Sequence, residues 1–259
     1  MDLKQVVALV TGGASGCGEG TVRYFLGKGA KGAVILDLNE ERANRIVAEL
    51  GADKVLFVKT DVSDTEAVEA AVKAGVAKFG GINVIVNAAA IGAPGKILGR
   101  DGPMDMKKFV RAIQINLFGP VNVIRAGIAE MVKNAPNADG ERGVIVNVSS
   151  GAAYEGQIGQ AAYSAAKAGL VGLNMPLARE FAAHGVRVMS VSLGMFDTPL
   201  YEQVPPAVKD DLIRQSLFPK RMGRTDEFAM CVEEIVRNPL HNARDYRFDA
   251  GLILSPHSK

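Results

Sequence analysis

The chain has 259 residues, of which 48% are hydrophobic, so it can bury a sizeable core within one α/β domain. Its 30 lysines and arginines against 28 acidic residues leave a formal net charge of +2, and no dense basic run favours nucleic acid as a primary partner. The two cysteines form no C-x-x-C pair and the three histidines lack metal-ligand spacing, so neither a disulfide framework nor a metal site is expected. No apolar run is long enough to span a membrane, and the apolar stretch starting at Val6 leaves no room for a signal sequence, so we expect a cytoplasmic protein, with the mitochondrial matrix as the alternative.

Short apolar, β-branched segments alternate with helix-compatible segments such as 41–50 and 65–80. Strands are predicted at 6–10, 33–37, 55–62, 82–90, 143–150, 187–194 and 246–251. Continuous apolar strands separated by helices are typical of a parallel sheet that is covered on both faces. The sequence therefore predicts a single-domain α/β fold, a Rossmann-type doubly wound parallel sheet of about seven strands flanked by helices.

Three glycines, Gly12, Gly16 and Gly18, follow the first predicted strand at the turn into the first helix. Glycine lets the backbone approach a pyrophosphate closely, and a helix N-terminus supplies free N–H groups and a partial positive charge. The spacing differs from the general G-x-G-x-x-G fingerprint, and a tight structural turn would explain it about as well. Its place between a strand and a helix favours a dinucleotide phosphate site.

Carboxylates follow the second and third predicted strands. Asp37 can accept hydrogen bonds from the adenosine ribose hydroxyls and would repel a 2′-phosphate, which favours NAD over NADP. Asn39 is itself a good cap for the next helix, which leaves Asp37 free. Asp61 is expected to face the adenine amino group, because Ser63 or Asp64 can cap the helix that follows.

Tyr163 and Lys167 lie four residues apart in the stretch AAYSAAKAGL, and therefore on one face of a predicted helix. A nearby cation lowers the pKa of a phenol from about 10 toward neutrality, where the phenol can exchange protons with a substrate. A lone Y-x-x-x-K is more often a surface tyrosine beside a solvated lysine, so further motifs must decide.

Several motifs occur in the order and spacing of the short-chain dehydrogenase/reductase family, which the chain resembles from about Val6 to Leu254. They are Gly12-x-x-x-Gly16-x-Gly18, Asp61, Asn87, Asn116, Ser150 and Tyr163-x-x-x-Lys167. In that family the serine holds the substrate oxygen, the tyrosine passes a proton, the lysine binds the nicotinamide ribose and lowers the tyrosine pKa, and the asparagine supports a proton-relay water. The resemblance implies these roles for Ser150, Tyr163, Lys167 and Asn116. Ser149 competes with Ser150, but neighbours on a strand point to opposite faces, and the family's spacing selects Ser150.

The resemblance also implies that residues 1–259 form one NAD-binding domain. Further cofactor contacts are expected from Ser15, Cys17, Val62, Asn87, Ala88, Ala89, Phe196 and Thr198, beside the glycines, aspartates, Tyr163 and Lys167 already named. Gln160 is expected to face the substrate together with Ser150 and Tyr163. The segment of about 194–223 follows the carboxyl end of a predicted strand, where ligands bind in such sheets, and is expected to cover the substrate.

Longer stretches, among them GQIGQAAYSAAKAGLVGLNMPLARE and MFDTPL, resemble a subgroup that oxidises 3-hydroxyacyl-CoA thioesters and steroid alcohols with NAD. This implies an enzyme that interconverts a secondary alcohol and a ketone, in the first place 3-hydroxyacyl-CoA and 3-oxoacyl-CoA, with Tyr163 as acid and base. The alternatives are a steroid or other secondary-alcohol dehydrogenase, a 3-oxoacyl carrier-protein reductase, and a dinucleotide-binding scaffold without turnover. Asp37 argues against the reductase, which normally prefers NADP.

Two helical segments, 106–131 and 161–180, contain more apolar and small residues than one core-facing side requires. Excess apolar helix surface indicates burial against another subunit. The family resemblance implies that this assembly is a homotetramer built through these two segments.

Overall fold

The computed structural model describes residues 1–202 and 204–256 and contains a seven-stranded sheet. The strands are β1 (Val7–Thr11), β2 (Gly32–Asp37), β3 (Val55–Lys59), β4 (Val84–Asn87), β5 (Gly143–Ser150), β6 (Val186–Leu193) and β7 (Asp245–Phe248). Their order is β3-β2-β1-β4-β5-β6-β7, and every neighbouring pair is parallel. The predicted doubly wound parallel sheet is therefore confirmed.

The central strands are apolar on both faces, as a sheet covered by helices requires: β1 and β4 are buried at every residue. The prediction ran β4 on to residue 90, whereas the strand ends at Asn87. The reason is local, because the amides of Ala88 and Ala89 both donate to the hydroxyl of Thr11 at 3.1 Å and so leave the strand ladder. The chain turns here toward the edge of the sheet that holds the site.

Helices cover both faces of the sheet. They are α1 (Gly16–Gly27), α2 (Glu40–Leu50), α3 (Thr65–Phe79), α4 (Met106–Ile113), α5 (Gly119–Met131), α6 (Ala161–Phe181), α7 (Pro206–Gln215) and α8 (Thr225–Arg237). Asn39 caps α2 by accepting from the Arg42 amide at 2.9 Å, and Asp64 caps α3, as the sequence indicated. A π-helical turn, Gln114–Phe118, joins α4 to α5.

Two apolar cores lie between these layers. One contains Phe25 of α1 and Phe228 of α8, both fully buried, and the other contains Met131 of α5 and Phe181 of α6. Within the described ranges no helix is long and apolar enough to cross a membrane.

The described residues of the segment 194–223, which are 194–202 and 204–223, include a helix and do not form only a loop. Its base is closed by a hydrogen bond of 2.8 Å from the Gly223 amide to the carbonyl oxygen of Met195, and it contains α7. Pro206 begins α7 at a position where proline's fixed φ suits a helix and its missing N–H is not needed. Met195, Leu212 and Leu252 form a small third core that fastens this segment to the C-terminal part of the chain.

Candidate active site

Two adjoining cavities lie at the carboxyl edge of the sheet. The first measures about 370 Å³ and includes the turn after β1, and the second measures about 620 Å³ and lies against the segment 194–223. The wall that they share is formed by Ala90, Ile91, Ser150, Tyr163, Leu193, Gly194, Pro199, Leu200 and Tyr201. Ligands of open α/β sheets bind at this edge, where the strand order reverses, here between β1 and β4.

Nearly all the predicted cofactor residues line the first cavity. They are Gly12, Ser15, Gly16, Cys17, Gly18, Asp37, Asp61, Val62, Ala88, Ala89, Tyr163, Lys167, Phe196 and Thr198. Asn87 does not line it. Its side chain is 2% exposed and donates to the Asn147 side chain at 2.9 Å, because β4 and β5 pair these two residues in register. The structure thus places the Asn87 amide within the sheet rather than in the cavity.

Two positions in the turn from β1 into α1 require glycine. A Cβ on Gly18 would lie 2.2 Å from the carbonyl oxygen of Gly12, and a Cβ on Gly12, whose φ is +64°, would lie 2.9 Å from the backbone of Ala89. Ser15 precedes α1, lines the cavity and makes no capping hydrogen bond with its side chain. The start of α1 therefore offers free N–H groups and the positive end of a helix dipole, which fit a pyrophosphate.

Asp37 has a structural duty that the sequence did not reveal. Its carboxylate accepts from the Ala14 amide at 3.0 Å and from the Asn39 amide at 2.9 Å, so it braces the glycine turn while it lines the first cavity. Among the described residues that line this cavity, Lys167 carries the only cationic side chain. A 2′-phosphate near Asp37 would therefore find a carboxylate and no cation beside it in the lining.

Asp61 lines the same cavity and is held in place from two sides. It accepts from the Ser63 amide at 2.9 Å, which turns the chain away from β3 before the predicted end at residue 62, and from Arg111 at 3.1 Å. Partial burial alone would raise the pKa of Asp61, but the hydrogen bonds from Ser63 and Arg111 outweigh burial and lower the pKa. Asp61 is therefore a charged acceptor.

Ser150, Tyr163 and Lys167 come together beside the wall between the cavities. Ser150 ends β5, and α6 presents Tyr163 and Lys167 one turn apart. The Ser150 side chain lies beside Tyr163, within reach of a hydrogen bond. The Lys167 Nζ atom donates to the carbonyl oxygen of Val148 at 2.7 Å and lies 5.6 Å from the centre of the Tyr163 ring.

Burial controls the protonation of this pair. It raises the pKa of Tyr163, with the Tyr201 phenol adding to the rise and the hydrogen bond from Ser150 opposing it. It also lowers the pKa of Lys167 to about 8. The pKa of Tyr163 is thus raised, whereas the sequence predicted that it would be lowered. The reason is that a phenolate in this wall loses more solvation free energy than its interactions with neighbouring groups restore.

Ser149, the competing serine, also lines the first cavity, but its hydroxyl is not directed at Tyr163. Its hydroxyl donates to the carbonyl oxygen of Lys167 at 2.9 Å and is 2% exposed, so it fastens β5 to α6. Ser150 is left as the serine whose hydroxyl contacts Tyr163.

Asn116 lies behind the cavity wall, in the π-helical turn between α4 and α5. Its side chain is fully buried, accepts from the Ile91 amide at 3.1 Å, and donates to the carbonyl oxygens of Ile91 and Ala112 at 3.1 and 3.0 Å. Ile91 lines both cavities, whereas Asn116 lines neither. The Asn116 side chain therefore positions the wall, and turns of this kind are frequent at functional sites.

The described lining of the second cavity contains no charged side chain. Its polar groups are Ser150, Gln157, Gln160, Tyr163 and Tyr201. Gln160, predicted to face the substrate, is thus in the lining, and its side-chain oxygen accepts from the Gln157 amide at 3.0 Å. Tyr201 was not singled out from the sequence, since no motif marks it; the signal available was its place in the segment 194–223.

Three comparisons with known proteins identify the family of the chain. Residues 6–209 match the short chain dehydrogenase family. The chain is 41% identical to a 3-hydroxyacyl-CoA dehydrogenase type-2 of Drosophila melanogaster, covering 98% of this chain and 100% of that protein, and 40% identical to the Homo sapiens protein of that name, covering 98% and 97%. The crystal structure of 3-hydroxyacyl-CoA dehydrogenase type-2 from Mycobacterium avium is similar with a TM-score of 0.91 at 37% identity, covering 98% of each chain. The chain therefore belongs to the short-chain dehydrogenase family and is an oxidoreductase, as its motifs predict.

Proposed function

We propose that this protein interconverts a 3-hydroxyacyl-CoA and the corresponding 3-oxoacyl-CoA, with NAD as the electron acceptor. The observation that carries the proposal is the position of Ser150 and Tyr163, in the wall shared by the two cavities. A reacting carbon beside them would lie between the first cavity, which would hold the dinucleotide, and the largely apolar second cavity. The name shared by the Drosophila, human and mycobacterial relatives supports the choice of substrate.

In the direction of oxidation, Tyr163 acts as the base. Its phenolate takes the hydroxyl proton of the alcohol while Ser150 holds the same oxygen by a hydrogen bond. A bound nicotinamide supplies the acceptor for the hydride that leaves the carbinol carbon. When Lys167 is protonated, its charge beside the phenol stabilises the phenolate and opposes the effect of burial. In reduction Tyr163 returns the proton to the carbonyl oxygen.

The choice of NAD over NADP rests on Asp37. Its carboxylate lines the first cavity, and a 2′-phosphate there would meet negative charge. The glycine turn and the start of α1 would hold the pyrophosphate, Asp61 would accept from the adenine amino group, and Lys167 would contact the nicotinamide ribose. The same feature disfavours the 3-oxoacyl carrier-protein reductase, which prefers NADP.

The second cavity suits the uncharged part of the substrate. Its lining carries no charge within the described residues, and the segment 194–223 supplies Val204, Val208 and Leu212 to it. An acyl chain fits this surface, and the charged phosphates of CoA would stay outside. A neutral steroid or other apolar secondary alcohol fits for the same reason and is the second candidate.

We further propose a homotetramer in a compartment that holds NAD and acyl-CoA, with the cytoplasm as our expectation. Four apolar residues on α4, the π-helical turn and α5 are 37–60% exposed to solvent. They are Met106, Val110, Phe118 and Val121. Burial of this face against a second copy would remove it from water. Sedimentation of the purified protein tests the stoichiometry.

The first experiment is reduction of acetoacetyl-CoA followed by the absorbance of the reduced nicotinamide, with NADH and NADPH in separate reactions. Fast consumption of NADH, and consumption of NADPH at least about tenfold slower, is the expected result. In a parallel series, neutral secondary alcohols are tested as substrates with NAD, and formation of NADH is followed by its absorbance. Turnover in that series alone would replace the acyl-CoA assignment with the second candidate, and NADH binding without turnover in either series would leave a dinucleotide-binding scaffold.

A further inference from the structure

We propose that Asp245, on the edge strand β7, is a positioning residue that holds Ser150 and Tyr163 in their mutual geometry. The inference rests on the proposed function, because it gives Asp245 a role in that reaction. Asp245 lines neither cavity and acts through other side chains.

The first connection runs to Ser150. The chain leaves β5 at Ser150 and makes a 3-10 turn, Gly151–Ala153, in which the Ser150 hydroxyl accepts from the Ala152 amide at 3.2 Å. Tyr154 closes this turn with a 3.0 Å bond from its amide to the carbonyl oxygen of Gly151. The Tyr154 hydroxyl then donates to Oδ2 of Asp245 at 2.9 Å, so the turn is fastened to β7.

The second connection runs to the helix that carries Tyr163. Asn174 lies about three turns further along α6 and donates to the Ser190 hydroxyl at 2.7 Å. Ser190 in turn donates to Oδ1 of Asp245. Asn174 is 2% exposed and Ser190 is fully buried, so this connection is shielded from competition with water.

Asp245 therefore accepts at Oδ2 from Tyr154, which closes the turn after Ser150. At Oδ1 it accepts from Ser190, which is hydrogen-bonded to α6. A carboxylate can accept at both oxygens, whereas the amide of asparagine can accept at only one. A second pair strengthens the fastening of the turn, since Arg247 of β7 donates to Glu155 at 2.7 Å and its guanidinium lies 5.1 Å from the Tyr154 ring centre. In Asp245→Asn only one side-chain oxygen remains, so the hydrogen bond to either Tyr154 or Ser190 should be lost.

The test compares the variants Asp245→Asn and Tyr154→Phe with a matched control, Tyr24→Phe. The Tyr24 hydroxyl donates to Glu233 at 2.7 Å, which is also a phenol–carboxylate bond, but it joins α1 to α8. For Asp245→Asn and Tyr154→Phe we expect kcat with acetoacetyl-CoA to fall about tenfold while the Kd for NADH stays within about twofold. For Tyr24→Phe we expect a decrease in Tm similar to that of the other two variants and an unchanged kcat.

Hydrogen exchange of the peptide 151–160 provides a measurement that does not require turnover. The two network variants should exchange there faster than both the wild type and Tyr24→Phe. Unchanged kcat and exchange in Asp245→Asn, or an equal loss of kcat in Tyr24→Phe, would overturn the positioning role. A wild type without turnover on any alcohol contradicts the proposed function instead, and the exchange comparison still decides whether Asp245 holds the turn.

Discussion

The Nζ atom of Lys167 lies 5.6 Å from the centre of the Tyr163 ring, and its hydrogen bond of 2.7 Å goes to the carbonyl oxygen of Val148. Burial pushes each group toward its neutral form, because it raises the pKa of Tyr163 and lowers that of Lys167 to about 8. A phenolate and an ammonium ion in this wall would stabilise each other.

The first prediction concerns stability in Lys167→Met without cofactor. The pKa of Lys167 falls from its ordinary 10.5 to about 8 on folding, so the unfolded chain binds the proton more tightly. Burial of the charged lysine therefore lowers the free energy of unfolding, and this loss is fully present below about pH 8. As the pH rises from about 8 to 10.5 the free energy of unfolding recovers by at most about 1.4 kcal/mol per pH unit. The free energy of unfolding of the wild type minus that of Lys167→Met should therefore increase between about pH 8 and 10.

Urea unfolding of both proteins across this range gives the difference directly. Tyr163 is present in both, so the opposite effect of its raised pKa, a loss of stability above about pH 10, largely cancels in the comparison. A difference that is flat or that falls between pH 8 and 10 would mean that Lys167 is not desolvated as the structure indicates.

The second prediction is that Tyr163→Phe abolishes turnover. The substitution removes the proton acceptor and leaves the ring in the wall, so kcat should fall by about a thousandfold or more while NADH affinity changes by less than about threefold. Steady-state assays and NADH fluorescence titration measure the two effects. Tyr246→Phe removes a phenol that lines neither cavity and should keep its activity. An active Tyr163→Phe enzyme would end the proposed mechanism.

The third prediction separates two neighbouring serines. Ser150→Ala removes a hydroxyl that contacts Tyr163 and should lower kcat by about a hundredfold or more. Ser149→Ala removes the 2.9 Å bond to the carbonyl oxygen of Lys167, so we expect a loss of about 1 kcal/mol in stability and a smaller effect on kcat. Denaturant curves and assays on both variants check the pattern, and the reverse order of effects would show that the wrong serine was chosen.

The fold and most of the cofactor cavity follow from local patterns in the sequence. Apolar strands, glycines at one turn and polar residues at strand ends suffice, because parallel strands bring their carboxyl ends to one edge. Asn39 caps α2 as predicted for the same kind of reason, since a helix start depends on residues close in sequence.

What the sequence did not reveal depends on contacts between distant segments. Asn87 turns to Asn147 because of strand register, and Tyr201 lines both cavities because the chain that follows β6 runs along them. The pKa of Tyr163 rises because of burial, which a spacing of four residues does not report. Each of these features depends on tertiary structure.

The fourth prediction concerns the thiol in the glycine turn. A helix N-terminus lowers the pKa of a cysteine, but burial dominates here and raises the pKa of Cys17 to about 12. Burial, with a contribution from Glu234, also raises the pKa of Cys231 to about 11. At pH 8 iodoacetamide should therefore modify the native protein far more slowly than the urea-unfolded chain, as counted by mass spectrometry. The variant Cys231→Ser isolates Cys17, and rapid modification of that variant would contradict the prediction.

The last prediction tests the cofactor preference through Asp37. Asp37→Asn removes the charge that would repel a 2′-phosphate, although its amide can accept from only one of the Ala14 and Asn39 amides. We expect the ratio of kcat/KM for NADPH to that for NADH to rise about tenfold, which corresponds to about 1.4 kcal/mol of repulsion relieved. Asp61→Asn is the matched control, because Asp61 lines the same cavity and also accepts from a backbone amide. It should weaken both cofactors alike. If Asp61→Asn shifts the ratio as far as Asp37→Asn does, the preference arises from the general negative potential of the cavity and not from a carboxylate beside the ribose.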